Sequence, residues 1–287
     1  MNVSTSLNIF YAPDVCVPDS VRRCAVAGFV SLDMNYWDHQ KQMLQSSPQE
    51  EEAWAREIRA SADNHGVRIT QMHGPVHGST FSNLAHGMTL ESFEKLLERS
   101  LRSAAILGVP WVVLHPTNVT RVEGESFQEA LEYNVNFYRK IIPVLEQTGV
   151  GIALENMIGQ RGTRITHFAL PEELVELIDT LNHPLVGACW DTGHGHITSL
   201  DQAASISTLG SRLKTTHIQD NDGTNDQHLL PYQGTIPWNE VVQTLKRIGY
   251  TGDFTYETHN SIRTLPDGIR DAGLKYALDL GNYVISL

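Results

Sequence analysis

Six apolar runs of this chain close on a residue that can bind a cation or move a proton. They read Met72-His73-Gly74-Pro75, Leu114-His115-Pro116, Leu154-Glu155-Asn156, Trp190-Asp191-Thr192-Gly193-His194, Thr216-His217-Ile218-Gln219-Asp220 and Tyr256-Glu257-Thr258. Any one of these alone reads as a cap or a satisfied polar group. Six in register are a different matter. Imidazoles and carboxylates gathered in one place repel or stay unsatisfied, and a divalent metal resolves both conflicts. Asp226 and His228 extend the set, because two residues apart in an extended segment share a face. The loop that continues from Leu229 to Trp238 carries turn residues before a helix.

Residues so spaced need a scaffold that delivers each one to a common mouth. Short apolar runs predict strands over Ser4–Phe10, Phe29–Asp33, Val67–Met72, Trp111–Leu114, Gly151–Leu154, Val186–Trp190, Leu213–Thr216 and Phe254–Tyr256. Between them, amphipathic stretches predict helices over Pro48–Asn64, Leu90–Leu107, Phe127–Gln147, Pro171–Leu181, Trp238–Ile248 and Asp267–Leu280. Gly66, Gly149 and Gly249 stand where left-handed helix caps turn the chain back toward a sheet. Strand and helix alternate with no linker or break in composition. The expectation is an α/β protein, a single (β/α)8 TIM barrel over residues 1–287, with its functional groups at the C-terminal strand ends. A doubly wound open sheet is the alternative, but the first turn, Phe10-Tyr11-Ala12-Pro13, lacks a glycine-rich phosphate loop.

The composition suits that scaffold. A chain of 287 residues, 41% hydrophobic, buries a sizeable core without staples. Its 21 basic and 33 acidic residues give a net charge of −12, which offers no general attraction to nucleic acid or anionic membranes. Three cysteines without CxxC spacing fit a reducing compartment. No signal peptide and no apolar run of membrane-spanning length are visible. The expectation is a soluble cytoplasmic protein acting on a small molecule; a homo-oligomer stays open.

At this point the residues resemble a known group. Leu154-Glu155-Asn156, Asp191-Thr192-Gly193-His194 and the stretch from His217 to Trp238 are similar to the xylose isomerase-like TIM-barrel superfamily. That superfamily holds sugar phosphate isomerases and epimerases together with apurinic endonucleases of the endonuclease IV type. The resemblance covers essentially the whole chain. It implies one divalent metal (Mn2+, Mg2+, Co2+ or Zn2+) on Glu155, Asp191, His217 and Glu257. It also implies that His73, His115, His194, Asp226 and His228 either complete further metal sites or bind substrate. All nine ligands of the zinc nucleases have counterparts here. Three departures count against that activity: Gly193 stands where those nucleases carry Cys, Gln227 where they carry Arg, and their early Gln-Arg signature is missing from Cys24–Gln45.

The expected function is a metal-dependent isomerase or epimerase of a sugar or sugar phosphate. Proton abstraction next to a carbonyl would give a metal-stabilised enediolate, with Glu155 and Glu257 flanking the carbon as catalytic acid and base. Proton return to the same carbon inverts it, return to its neighbour isomerises, and loss of a β-substituent makes a lyase or dehydratase. A zinc-dependent apurinic endonuclease is the main alternative, and a non-catalytic sugar sensor a further one. Tyr36 and Trp37 are candidates to cover a sugar face, and Arg161 and Arg164 to bind a substrate phosphate or carboxylate.

Overall fold

Eight parallel strands follow one another around a ring: β1 (Val3–Ser6), β2 (Ser31–Asn35), β3 (Arg68–His73), β4 (Trp111–Leu114), β5 (Gly151–Glu155), β6 (Val186–Asp191), β7 (Leu213–His217) and β8 (Phe254–Tyr256). In the computed structural model, residues 1–10, 15–80, 83–118, 125–161 and 164–287 are described. From β1 to β7 each strand pairs with its sequence neighbours, and β1 pairs with β8. Between β7 and β8 the ring closes just past the end of β7: Ile218 N–H donates to Thr255 O at 2.8 Å, and Glu257 N–H donates to Ile218 O at 3.0 Å. The expected (β/α)8 TIM barrel is the architecture found.

The helices start and stop for local reasons. Ser47, Thr89 and Ser126 each close a capping box on the helix that follows. Gly66, Gly149 and Gly249 take φ of 67°, 70° and 70°, the left-handed region expected of them at helix ends. The helices over Pro48–Asn64, Leu90–Leu107 and Pro171–Leu181 have the boundaries that the sequence pattern predicts.

Several boundaries differ from expectation, among them the last helix, which runs on past Leu280 to Ser286. The first strand ends at Ser6, because its partners in β2 and β8 pair no further, and Leu7–Phe10 turns into a 3-10 helix. That turn brings Asn8 to the mouth. The second strand lies two residues later than expected, at Ser31–Asn35. The stretch Phe127–Gln147 divides into Phe127–Arg139 and Ile142–Thr148. Pro143 explains the break, since its ring has no N–H and would clash with the carbonyl four residues earlier.

Outward-facing side chains such as Leu32, Ile152, Leu154 and Trp190 join the helices in the main core. Inward-facing ones are small or polar. Val113, Ala153 and Cys189 pack with Trp111 inside the barrel, and Ser4, Ser31, Asp33, Gln71 and Thr215 are buried around them. With a two-residue side-chain period, the next inward positions along β5, β6 and β7 are Glu155, Asp191 and His217. The pleat that fills the barrel thus also aims its ligands.

Candidate metal centre

Glu155, Asp191, His217 and Glu257 come together at the C-terminal mouth, each offering a ligand atom within 4.8 Å of the others. All four are buried. His217 Nδ1 lies 3.0 Å from Glu155 Oε1 and 3.6 Å from Glu257 Oε2. Two further groups share those glutamates. His73, His115 and Glu155 form one; His228, Glu257 and His259 form the other. His115 Nε2 is 3.0 Å from Glu155 Oε2 and 3.2 Å from His73 Nε2. Asp226 Oδ2 sits between two imidazoles, 3.6 Å from His194 Nε2 and 3.4 Å from His228 Nε2.

Backbone carbonyls orient three of the rings. The carbonyls of Gly74, Asn156 and Glu257 lie 3.0, 2.8 and 2.8 Å from Nδ1 of His73, His194 and His228. A proton on each Nδ1 makes these hydrogen bonds and leaves each Nε2 lone pair facing the centre, which is how ligand histidines are usually held. Asn156 holds the backbone of Asp191, and Gln219 holds two carboxylates. Asn156 Oδ1 accepts from Asp191 N–H at 2.6 Å, and its Nδ2 donates to Asp191 O at 3.0 Å. Gln219 Nε2 donates to Asp226 Oδ1 at 2.8 Å and to Asp191 Oδ2 at 3.3 Å.

The electrostatics are those of a crowded, dry cluster. Burial alone would raise Glu155, but His217 and His115 pull it well below the usual carboxylate range. Glu257 has weaker imidazole support, and burial pushes it up to about 7. Burial opposes the charged form of His217, yet Glu155 and Glu257 raise it to about 10; Glu257 and Asp226 likewise raise His228 to about 9 against its burial. Burial, then the neighbouring His115, lowers His73 to about 3. Beneath the cluster, burial lifts Asp33 to about 6, and His217 is the largest opposing influence. Imidazolium therefore balances carboxylate here. A divalent cation would supply the same compensation and release the protons. The donor set fits one: carboxylate oxygens suit Mg2+ and Mn2+, and the imidazoles admit Zn2+ or Co2+.

A cavity of about 270 Å3 opens on this cluster, lined by Trp37, His115, Glu155, Asp226, Glu257 and His259 among others. A larger one, of about 390 Å3, lies at the opposite face among the strand starts, beside Arg68, Trp111 and Lys214. None of the clustered ligand residues lines it. Size is therefore a poor guide here, and the chemistry marks the smaller cavity.

All nine residues singled out by the strand ends and the late loop gather at this mouth. Trp37 lines its wall. Tyr36 does not: it is fully buried, donates its hydroxyl to Glu51 Oε1 at 2.8 Å and packs against Trp54. The adjacent residue on a helix points about 100° away, so only one of the two can face the cavity. Arg161 and Arg164 lie on the short paired strands Gln160–Arg161 and Arg164–Ile165, and their side chains lie outside the described residues. Four site residues escaped the sequence reading: Asn156, Gln219, His259 and Asp33. Gln219 and His259 each follow a named ligand by two residues, so the same parity could have found them.

Residues 21–279 match a family model described as a xylose isomerase-like TIM barrel. An uncharacterised protein of Methanocaldococcus jannaschii is 30% identical over 205 residues, 69% of this chain and 67% of that one. The D-psicose 3-epimerase of Ruminiclostridium cellulolyticum is 25% identical over 207 residues, 70% of this chain and 67% of that one. The matched region spans between about half and two thirds of the length of such relatives. Among solved structures, the IolI protein with a bound zinc atom superposes with a TM-score of 0.78 at 18% identity, covering 100% of this chain and 98% of that one. At that identity the likeness speaks to the fold.

Proposed function

The chain belongs to the xylose isomerase-like TIM-barrel family, and we propose that it is a metal-dependent isomerase or epimerase of a sugar, sugar phosphate or polyol. The observation that carries this reading is the pair Glu155 and Glu257. Both are buried, both face the cavity, and both approach one imidazole nitrogen from different strands. Their environments push their proton affinities apart, Glu155 far down and Glu257 up to about 7. Carboxylates so separated are the usual sign of an acid and a base assigned to different roles.

In this reading Glu155, Asp191, His217 and Glu257 would hold a divalent cation, which would act as a Lewis acid on substrate oxygens and offset charge as the proton leaves. The ionised carboxylate of the pair takes the proton next to the carbonyl. The other returns one from its own side of the carbon. His194 and His228, each fixed through Nδ1, present Nε2 to substrate oxygens or to a second cation. Trp37 gives an apolar wall for one sugar face. The cavity volume suits a molecule of that size. A relative named D-psicose 3-epimerase supports the sugar class.

The gathering of all nine residues at one mouth favours the zinc apurinic endonuclease as a second reading. Gly193 and Gln227 depart from that pattern, and a net charge of −12 offers little grip on a phosphate backbone. The deciding experiment is metal analysis of the purified protein, followed by a screen of ketoses, keto-acids and abasic DNA in deuterated water. Deuterium entering next to the carbonyl of a ketose supports the proposal. Strand cleavage without any such exchange overturns it.

A further inference from the structure

The ring of His217 is held differently from its neighbours. His73, His194 and His228 each tie the nitrogen that faces away from the centre to a backbone carbonyl. His217 turns Nδ1 toward Glu155 and Glu257, so its Nε2 points down into the barrel. There Nε2 is buried with no hydrogen-bond partner. Among the described residues, Asp33 Oδ1 and Thr215 Oγ1 of the barrel interior share that condition, as do Ser4 Oγ and Ser31 Oγ.

The topology brings His217, Thr215 and Asp33 together. Thr215 lies two residues before His217 on β7 and so faces inward beneath it. Asp33 pairs with Gln71, and Asn35 with His73, so Asp33 sits one layer below the His73 ring. That ring stacks on His217 with centroids 5.5 Å apart and an interplanar angle of 13°. At the same level Gln71 reaches across the barrel to donate to Thr216 O at 3.4 Å. Asp33 is itself held in place. Asn35, with its amide nitrogen turned inward, donates to Asp33 Oδ2 at 3.1 Å and also contacts Ser6 Oγ, while its oxygen accepts from Trp37 Nε1 at 2.8 Å. One carboxylate oxygen is thus fixed and the other is left facing the interior.

We infer that Asp33 is the positioning residue of the His217 ligand, accepting its Nε2–H through a water that Thr215 also binds. Three polar partners are what a buried water ordinarily has. A carboxylate behind a ligand imidazole fixes the tautomer and the ring plane, and makes the other nitrogen a better donor to the metal. Asp33 would thereby keep the Nδ1 lone pair available to a cation. This inference rests on the metal reading of the centre, but the pairing of Asp33 with His217 can be tested without metal.

The test is nitrogen-15 NMR of histidine-labelled protein, metal-free and Zn2+-loaded, with the His217 signals assigned through His217→Gln. The expected result is an Nε2–H, slow to exchange with solvent, that persists when Zn2+ binds. Asp33→Asn should make that proton exchange rapidly and weaken Zn2+ binding about 10–100-fold, with the circular dichroism retained. An His217 unprotonated at Nε2 in the wild-type protein overturns the inference, whether or not Asp33→Asn folds. Zn2+ affinity within twofold of wild type in a folded Asp33→Asn overturns it as well. If the wild type takes up no Zn2+ yet its Nε2–H answers to Asp33, the metal reading fails and the pairing stands.

Discussion

Gly193 and Gln219 are fitted to each other: a Cβ on Gly193 would stand 2.3 Å from Cδ of Gln219 and 2.5 Å from its Oε1. The glycine is the space that the glutamine occupies. From that place Gln219 donates to Asp191 and Asp226, and its Oε1 accepts from His228 N–H at 3.1 Å. Gly193 is also the position where the resembling nucleases carry Cys, so the departure has a physical reason in this chain.

Gly193→Cys should therefore displace Gln219 and loosen Asp226 and His228 together. Overpacking of this kind costs about 1–3 kcal/mol. Adding Gln219→Ala should recover part of that stability without restoring the centre. A double-mutant cycle on urea midpoints measures the coupling, and strictly additive values would mean the two residues are not packed as described.

Asp220 holds the late loop. Buried, it accepts from Asn221 N–H (2.9 Å), Ile236 N–H (3.1 Å), Tyr232 N–H (2.9 Å) and Trp238 Nε1–H (2.9 Å). Asp220→Asn turns an NH2 toward two of those donors. The expected loss is on the order of 3 kcal/mol, read from urea unfolding, with a change in Trp238 fluorescence before global unfolding. A variant as stable as the wild type would mean that the loop is held elsewhere.

The barrel and the gathering of imidazoles and carboxylates at its mouth were legible in the sequence because both follow from periodicity. Apolar runs mark strands, and a two-residue pleat carries each interior to its ligand. Tyr36 was misplaced because a helix begins at that residue, and strand parity does not extend into it. Asn156 and Asp33 were missed for another reason. Their roles depend on contacts with residues distant in the chain, as with Asn156 and Asp191, 35 residues apart. An amide or acid inside a strand pattern does not announce its partner.

Metal uptake should be steeply pH-dependent. Burial opposes protonation of His217 and His228, but nearby carboxylates hold them at about 10 and about 9, so both carry protons at pH 7 in the metal-free protein. A cation must displace the proton from the nitrogen it binds, so affinity should rise with pH between 6 and 9. The slope is about tenfold per pH unit for each proton released. Calorimetry in buffers of different ionisation enthalpy counts those protons. Uptake that ignores pH across this range would place the cation away from His217.

Duplex DNA with an abasic site should be cleaved slowly or not at all by Zn2+-loaded protein. Gln227 replaces the expected Arg and uses its Oε1 to accept from Asp222 N–H at 2.8 Å, which closes the loop on itself. Rapid cleavage that falls steeply with added salt would indicate a phosphate grip and reverse the ranking of the two readings.

Glu155→Gln and Glu257→Gln should each abolish turnover, because the amide keeps the side-chain length but loses the basic carboxylate. Acid–base groups commonly contribute on the order of 10²–10⁴ in rate, so a loss below tenfold would count against the assignment. The two variants should also differ from each other. Glu155 lies near His73, His115, His194 and His217, so its replacement should weaken metal binding more strongly. Glu257 has fewer such ties and should lose turnover with more of its metal retained. Metal content and solvent-deuterium exchange, measured on the same samples, separate the two effects. If the glutamates act on opposite faces of the carbon, Glu257→Gln with its metal in place should still exchange the proton of one epimer while failing to interconvert the two. A metal-replete variant with undiminished turnover would show that the proton is handled elsewhere, and His194, fixed through its Nδ1 to Asn156 O, would be the next residue to replace.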